Sequence, residues 1–210
     1  MKSPIAMLAI RRRFTAVGVF LGVVCATACV GFAAATSATP NVSTISEESG
    51  LSALTSPREQ DDRLPEHVNA GQQGEGGLIT SSVRLLGHDV RGRYYISIDA
   101  AGDVCLTVSL NGTANSATVC GSPQQAAEGA LGLAAYGPGK NPSWTEAYLL
   151  PDGVRAFGAP QELERLTENL LVGDTRAVAG EARHVSLGAS DSHPTAPRRD
   201  LELIPPLSFD

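Results

Sequence analysis

Residues 93–120, RYYISIDAAGDVCLTVSLNGTANSATVC, decide the fold of this 210-residue chain. Three segments of this stretch alternate apolar with polar residues, the period-2 pattern of half-buried β-strands. Turn-prone residues separate the segments at 100–102 and at 111–112. We therefore expect three consecutive antiparallel strands joined by short turns.

The register of these strands follows from their side chains. If Cys105 lies directly opposite Cys120, Leu106 meets Val119 and the apolar residues share one face of the sheet. Thr107 then meets Thr118 on the opposite face, beside the cysteines. The first two strands bring their apolar faces together in the same way, with Ile98 opposite Val104, Ile96 opposite Leu106 and Tyr94 opposite Val108.

The same register predicts a disulfide between Cys105 and Cys120. Directly opposed antiparallel residues at a non-hydrogen-bonded site lie about 4.5 Å apart at Cα, which a disulfide can span. A redox-active pair is the alternative, but no CxxC motif and no flanking His is present to lower a thiol pKa. We expect a structural bridge.

The amino-terminal segment predicts export. Residues 14–35 form an uncharged run of 22 residues, long enough to cross a bilayer of about 30 Å as a helix. Residues 1–13 are basic and end in three arginines, which favours their cytoplasmic placement. Residues 14–35 are therefore a transmembrane signal anchor, or a signal peptide cleaved near Ala35. In both cases the remainder is outside the cell membrane, as a single-pass protein with an external carboxyl-terminal domain or as a secreted protein.

The rest of the chain divides by composition. Residues 36–57 are small and polar and predict a flexible tether, 58–172 carry the strand patterns of an extracytoplasmic β-rich domain, and 173–210 predict a mostly disordered tail. The expected fold is mainly β (β-rich α+β), a small antiparallel meander or sandwich-like domain. Residues 161–168 are ambiguous, because Leu163 and Leu166 suit a helix whereas 170–172 suit a terminal strand.

Charge excludes one class of partner. The net charge of −6 combines +4 in residues 1–40 with −10 in the remaining 170 residues. Nucleic-acid binders need a basic surface to neutralise phosphates, so an acidic body predicts no nucleic-acid partner.

The order of these features resembles a known group. The features are a basic segment, one apolar span, the 93–120 stretch with Gly102, Cys105 and Cys120, and the hairpin signal LPDGV at 150–154. In this order they are similar to a widespread, uncharacterised group of small exported or membrane-anchored β-domain proteins of high-GC Gram-positive bacteria. Only two of the 16 basic residues are Lys, which fits a high-GC genome. The resemblance covers roughly 58–172 and implies no activity.

The sequence assigns no catalytic, cofactor-binding or metal-binding residue. Its four histidines have no metal-ligand spacing, and no nucleophile elbow or phosphate-binding loop occurs. We expect a non-enzymatic module that binds a protein or a cell-envelope component and needs no cofactor. The alternatives are a cell-envelope hydrolase, with a site assembled from residues distant in sequence that include His67 or His88, and a thiol-redox protein.

Overall fold

Antiparallel β-structure dominates the part of the chain that the structure describes, as the sequence predicts. The computed structural model describes residues 39–71, 77–129, 131–137, 144–159, 161–174, 184–189 and 199–202. Three short α-helices and two 3₁₀ helices accompany the strands: α1 (Val42–Ser49), α2 (Glu66–Gly71), α3 (Pro123–Ala127), Ser52–Thr55 and Thr80–Ser82. The strands are β1 (Arg84–His88), β2 (Gly92–Ile98), β3 (Val104–Leu110), β4 (Ser116–Gly121), β5 (Gly132–Tyr136), β6 (Trp144–Leu149), β7 (Val154–Phe157), β8 (Leu163–Thr167), β9 (Leu170–Gly173), β10 (His184–Ala189) and β11 (Arg199–Glu202).

The first sheet has the order β1-β2-β3-β4 and the predicted register. Cys105 lies opposite Cys120, Thr107 opposite Thr118, and Ile96 opposite Leu106. The two cysteines form a disulfide with their Cα atoms 4.1 Å apart. The alternation of apolar and polar residues between Tyr94 and Cys120 therefore predicted the pairing of β2, β3 and β4 to the exact residue.

The second sheet has the order β5-β6-β9-β8 and packs face to face with the first. Residues 163–167, left ambiguous by the sequence, form the edge strand β8, which pairs antiparallel with β9. The main core lies between the two sheets, and its fully buried members include Ile96, Leu106, Leu149 and Leu170.

A third sheet, of order β11-β10-β7, covers the other face of the second sheet. Val185 and Leu187 of β10 are buried there against Tyr148 and Leu150. The prediction of a mostly disordered tail over 173–210 is wrong for residues 184–189 and 199–202, since β10 and β11 pair as antiparallel strands, and the tail's other residues beyond 174 lie outside the described part. The cause is burial, because β10 supplies the apolar cover that one face of the second sheet requires.

The LPDGV signal forms a turn but not a hairpin. The N–H of Val154 donates to the carbonyl of Pro151 at 3.2 Å, and Gly153 has φ +68°. The strands on either side, however, belong to different sheets, because β7 pairs with β10 while β6 pairs with β5 and β9. The turn therefore carries the chain from the second sheet to the third.

The prediction of a flexible tether over 36–57 is also wrong for its described part. Asn41 caps α1 by accepting the N–H of Ser43 at 3.0 Å, and Ile45 is 7% exposed. Leu51 and Leu54 follow the helix and are fully buried in the main core. Burial of these three apolar side chains in the main core is therefore enough to hold an otherwise polar segment against the sheets.

Hydrogen bonds hold this amino-terminal segment to the turn after β6. The N–H of Asp152 donates to the carbonyl of Gly50 at 2.7 Å, and the N–H of Ser52 donates to Asp152 Oδ2 at 2.8 Å. Asp152 Oδ1 in turn accepts Asn169 Nδ2 at 2.7 Å. One carboxylate thus joins three segments that are distant in the sequence.

The predicted membrane segment at 14–35 and the basic segment at 1–13 lie outside the described residues. Within the described part of the chain, no helix is both long and apolar enough to span a bilayer.

Candidate functional site

A cavity of about 600 Å³ lies on the outer face of the second sheet, where β7 of the third sheet approaches β8 and β9. Its volume falls within the range of about 300–1,000 Å³ typical of small-molecule sites. The polar lining consists of Arg155, Arg165 and Glu168, and the apolar lining consists of Ala156, Ala159, Leu163 and Leu171. We call this space the β7–β9 cavity.

Strand pairing explains why these residues meet. Arg165 of β8 lies opposite Leu171 of β9, and Leu163 lies two residues before Arg165 on the same face of its strand. Arg155 reaches the cavity from β7, which is held in place by pairing with β10. The cavity therefore has one wall from each of two sheets.

Arg165 is held in position by the turn between β8 and β9. Its Nε donates to the carbonyl of Thr167 at 3.2 Å and its Nη2 donates to the carbonyl of Glu168. Partial burial lowers the pKa of Arg165, Glu168 opposes this, and the like charge of Arg155 lowers it further. Partial burial is the main cause of the lowered pKa of Arg165, and the attraction of Glu168 for Arg165 outweighs the repulsion from Arg155.

Glu168 is directed towards the backbone of the opposite wall. Its Oε1 accepts the N–H of Gly153 at 3.2 Å. Among the lining residues that the structure describes, the charged side chains are two arginines and one carboxylate, and Arg155 makes a further interaction of its own.

The predicted disulfide is asymmetric in its exposure. Cys105 is fully buried, whereas Cys120 is exposed. The carboxylate of Asp99 and the two sulfur atoms lie within 4.8 Å of one another. The sulfur atoms are joined in the disulfide, so the bridged pair offers no thiolate to a metal ion. Asp99 Oδ1 instead accepts the N–H groups of Ala101 and Asp103, both at 2.9 Å, and fixes the turn between β2 and β3.

The histidines named by the hydrolase alternative are not brought together. His67 Nε2 lies 3.3 Å from Ser109 Oγ, but Ser109 is only 5% exposed and lies on the outer face of the first sheet. His88 is exposed at the end of β1, and His184 is exposed on β10. His193 lies outside the described residues.

A polar cluster that the sequence did not indicate closes one end of the two packed sheets. Asp89 Oδ1 accepts the N–H groups of Arg91 at 2.9 Å and Gly92 at 3.0 Å, while Arg91 Nη2 lies 2.5 Å from Asp89 Oδ2. Burial alone would raise the pKa of Asp89, but the hydrogen bonds from Arg91 and Gly92 lower it. The buried hydroxyl of Tyr94 lies 3.1 Å from Asp89 Oδ1 and 3.0 Å from Thr145 Oγ1.

Sequence reasoning also missed a buried carboxylate. Glu146 is fully buried on β6, and its Oε2 accepts the hydroxyl of Tyr148 at 2.8 Å. A single acidic residue within the apolar strand 144–149 is the signal that could have found it, because buried carboxylates need partners. The β7–β9 cavity carries no comparable signal, since its residues meet only through strand pairing.

Comparison with protein-family models, curated proteins and solved structures finds no match for this chain.

Proposed function

We propose that this chain is an exported binding module, anchored in the membrane by residues 14–35 or released after cleavage near Ala35, and that it holds its ligand in the β7–β9 cavity. The cavity is the observation that carries the proposal. Its walls combine apolar side chains with a few charged groups, the composition that binding sites for small molecules share. Export rests on the apolar run and the arginines before it.

The position of the cavity supports binding rather than an incidental gap. It lies outside the main core, so an occupant contacts β7, β8 and β9 without displacing core side chains. Arg165 is already fixed by two backbone carbonyls, which reduces the conformational entropy lost when a ligand binds.

A site-resolved binding screen tests the proposal. The full-length chain, with its leucine and alanine methyl groups labelled for nuclear magnetic resonance, is titrated with small neutral, cationic and anionic compounds. We expect at least one compound to shift the methyl signals of Leu163 and Leu171. Ala156→Phe, which places a ring in the cavity, should abolish the shift, whereas Ala114→Phe at an exposed turn should preserve it. If no compound shifts these methyl groups in the wild type, the proposal is wrong.

The hydrolase alternative has one observation in its favour, the contact between His67 and Ser109. A serine nucleophile must be activated by such a base and must also be reached by a substrate. A fluorophosphonate reagent distinguishes the two functions. Labelling of Ser109 that is lost in His67→Ala would favour a hydrolase, and an unlabelled Ser109 would favour the binding module.

The thiol-redox alternative is disfavoured by the surroundings of the disulfide. Asp99 places a negative charge beside both sulfur atoms, which opposes thiolate formation. Mass spectrometry should find the bridge intact after treatment with mild reductant. Ready reduction of the folded protein would restore the redox function as a candidate.

A further inference from the structure

β4 forms one edge of the first sheet, where it pairs only with β3. Cys105 of β3 and Cys120 of β4 lie opposite each other with their Cα atoms 4.1 Å apart. That short distance is typical of a non-hydrogen-bonded pair, whose backbone N–H and C=O groups point away from the neighbouring strand. The N–H of Leu110 donates to the carbonyl of Asn115 at 3.0 Å, which fits the same alternation along the two strands.

Every second residue of β4 therefore presents its backbone to the outside of the sheet. Counting from Cys120, these outward residues are Ser116, Thr118 and Cys120, whereas Ala117 and Val119 bond to β3. Among the residues that the structure describes, no group bonds to the outward N–H and C=O groups. Because Ser116 and Cys120 are exposed and Thr118 is half-buried, this row is open to another extended strand.

Most sheet edges in the described part of the chain are protected against such pairing. β1, β7, β8 and β11 each contain a charged residue, and β1 and β8 also carry a bulge. Both features are usual means of preventing edge-to-edge association. β4, with the sequence SATVCG, has no charged residue, no proline and no bulge.

The edge of the second sheet on the same flank is also uncharged. This edge is β5, with the sequence GLAAY, and Asn115 Nδ2 at the start of β4 donates to the carbonyl of Tyr136 at its end, at 3.3 Å. The two layers of the sandwich thus share one neutral flank, which offers no countercharge to a charged peptide.

A second copy of this chain fits β4 by symmetry. In an antiparallel pair centred on Thr118, Thr118 lies opposite the partner's Thr118 and Ser116 lies opposite the partner's Cys120. Each outward residue then gains the backbone hydrogen bonds that β3 does not supply. The side chains at these positions are small and uncharged, so none of them opposes the approach of the second strand.

The proposed membrane anchor gives two copies a reason to meet. Gly18 and Gly22 have the GxxxG spacing at which transmembrane helices pack closely. Domains tethered to two adjacent helices have a high effective concentration for each other. This step rests on the anchor of the proposed function, whereas the open edge of β4 does not.

We infer that two copies of this chain pair through β4, which joins their first sheets into one continuous sheet with Thr118 at the two-fold axis. The β7–β9 cavity includes residues of β8, the opposite edge of the second sheet. Pairing and ligand binding are therefore separate properties of the protein.

Hydrogen exchange of single amides tests the pairing. The full-length chain in detergent micelles is measured by nuclear magnetic resonance over a range of protein-to-detergent ratios. The amides of Ala117 and Val119 should be protected throughout, because they bond to β3. Those of Ser116, Thr118 and Cys120 should exchange freely at low ratios. At high ratios their exchange should slow by about tenfold, the value for an edge that is nine-tenths paired.

Two results of this experiment would overturn the inference. Sedimentation reports whether the chains associate at each ratio. If they associate while the outward amides still exchange freely, the association belongs to another surface. If these amides are protected equally at every ratio, something other than a second copy covers β4.

An exchange of charge at the two-fold axis tests the register. Thr118→Lys and Thr118→Glu each place like charges opposite one another, and each should weaken association by about fivefold. An equimolar mixture of the two variants should restore association through an opposite-charge pair.

Ser116→Lys is the matched control, because it adds the same charge to the same face of the same strand. In the register centred on Thr118, the two new charges lie about 14 Å apart, beyond the screening length of about 8 Å at physiological salt. Protection of Ala117 and Val119 in each variant verifies that β4 is still paired with β3.

The outcomes separate this inference from the proposed function. If Ser116→Lys weakens association as much as Thr118→Lys, or if the mixture associates no better than either variant alone, pairing centred on Thr118 is wrong. The methyl signals of Leu163 and Leu171 report on the cavity independently, so a failed pairing leaves the proposed binding site standing.

Discussion

Two adjacent tyrosines on β2 should respond in opposite ways to the loss of a hydroxyl group. Tyr94 and Tyr95 are both fully buried, but they point to opposite faces of the first sheet. The Tyr94 hydroxyl has two hydrogen-bond partners, at 3.0 Å and 3.1 Å. The Tyr95 hydroxyl is buried and has no hydrogen-bond partner among the residues that the structure describes.

The expected magnitudes follow from these contacts. Tyr94→Phe removes one bond to a neutral hydroxyl and one to a carboxylate and should lower the free energy of unfolding by about 2 kcal/mol. Tyr95→Phe removes a group that was stripped of water without compensation, and it should leave stability unchanged or raise it by about 1 kcal/mol. The two variants should therefore differ by about 2–3 kcal/mol although each loses one oxygen atom.

Urea denaturation of the full-length chain provides the assay. The single tryptophan, Trp144, stacks on Tyr136 with ring centroids 5.3 Å apart, so its fluorescence reports on the packing of the second sheet. The slope of the unfolding free energy with urea should stay constant across the variants. If Tyr95→Phe loses as much stability as Tyr94→Phe, the buried Tyr95 hydroxyl has a partner and the reasoning is refuted.

Three further predictions concern the same sheets. Replacing both Cys105 and Cys120 with Ala should lower the unfolding free energy by about 3 kcal/mol, because the bridge closes a loop with a sequence separation of 15. The reduced wild type, which keeps both side chains, is the control for packing lost in the double variant. An unchanged urea midpoint would contradict the prediction. Burial raises the pKa of Tyr94 to about 12 from an ordinary value of 10, so its contribution to stability is complete below pH 10 and declines as the pH rises from 10 to 12. In that window the wild type should lose more stability than Tyr94→Phe, and parallel pH profiles would count against this. Gly92→Ala places a Cβ 2.7 Å from the carbonyl oxygen of Ser109 and should lower the unfolding free energy by about 1–3 kcal/mol, which a thermal melt would measure. If the variant keeps the wild-type melting temperature, β2 and β3 can move apart at that point without cost and the prediction is wrong.

The first sheet could be predicted from the sequence because its information is local. In residues 93–120 every strand alternates cleanly and each connection is short, so a shift of one residue would have exposed a whole apolar face. Cys105 and Cys120 added an independent test of the same register. Agreement between pattern, turns and cysteines made the pairing predictable.

The edges of the domain could not be predicted in this way. Ile45 and Leu54 are isolated apolar residues in a polar context, and Val185 and Leu187 lie in a tail rich in Ser, Pro and Arg. Their local patterns resemble those of solvated segments. Their burial depends on faces of sheets that form elsewhere in the chain, which composition does not reveal.

The β7–β9 cavity was missed for a related reason. Arg155 and Arg165 are charged residues in alternating strands, and both are solvent-exposed, as such residues usually are. They line the same cavity only because β7 joins β10 in the third sheet after the turn at 151–153. A hairpin between β6 and β7, as predicted, would have placed Arg155 elsewhere.

The contact between Asp152 and the segment after α1 gives the domain an order of assembly. A chain emerges from synthesis with its amino terminus first, and Ser52 must then wait for a partner 100 residues later in the sequence. Until the turn at 151–153 exists, the hydrogen bonds that hold Gly50 and Ser52 to Asp152 cannot form. Closing so long a loop is slow, so this amino-terminal clasp should be among the last parts of the protein to become protected from hydrogen exchange during refolding.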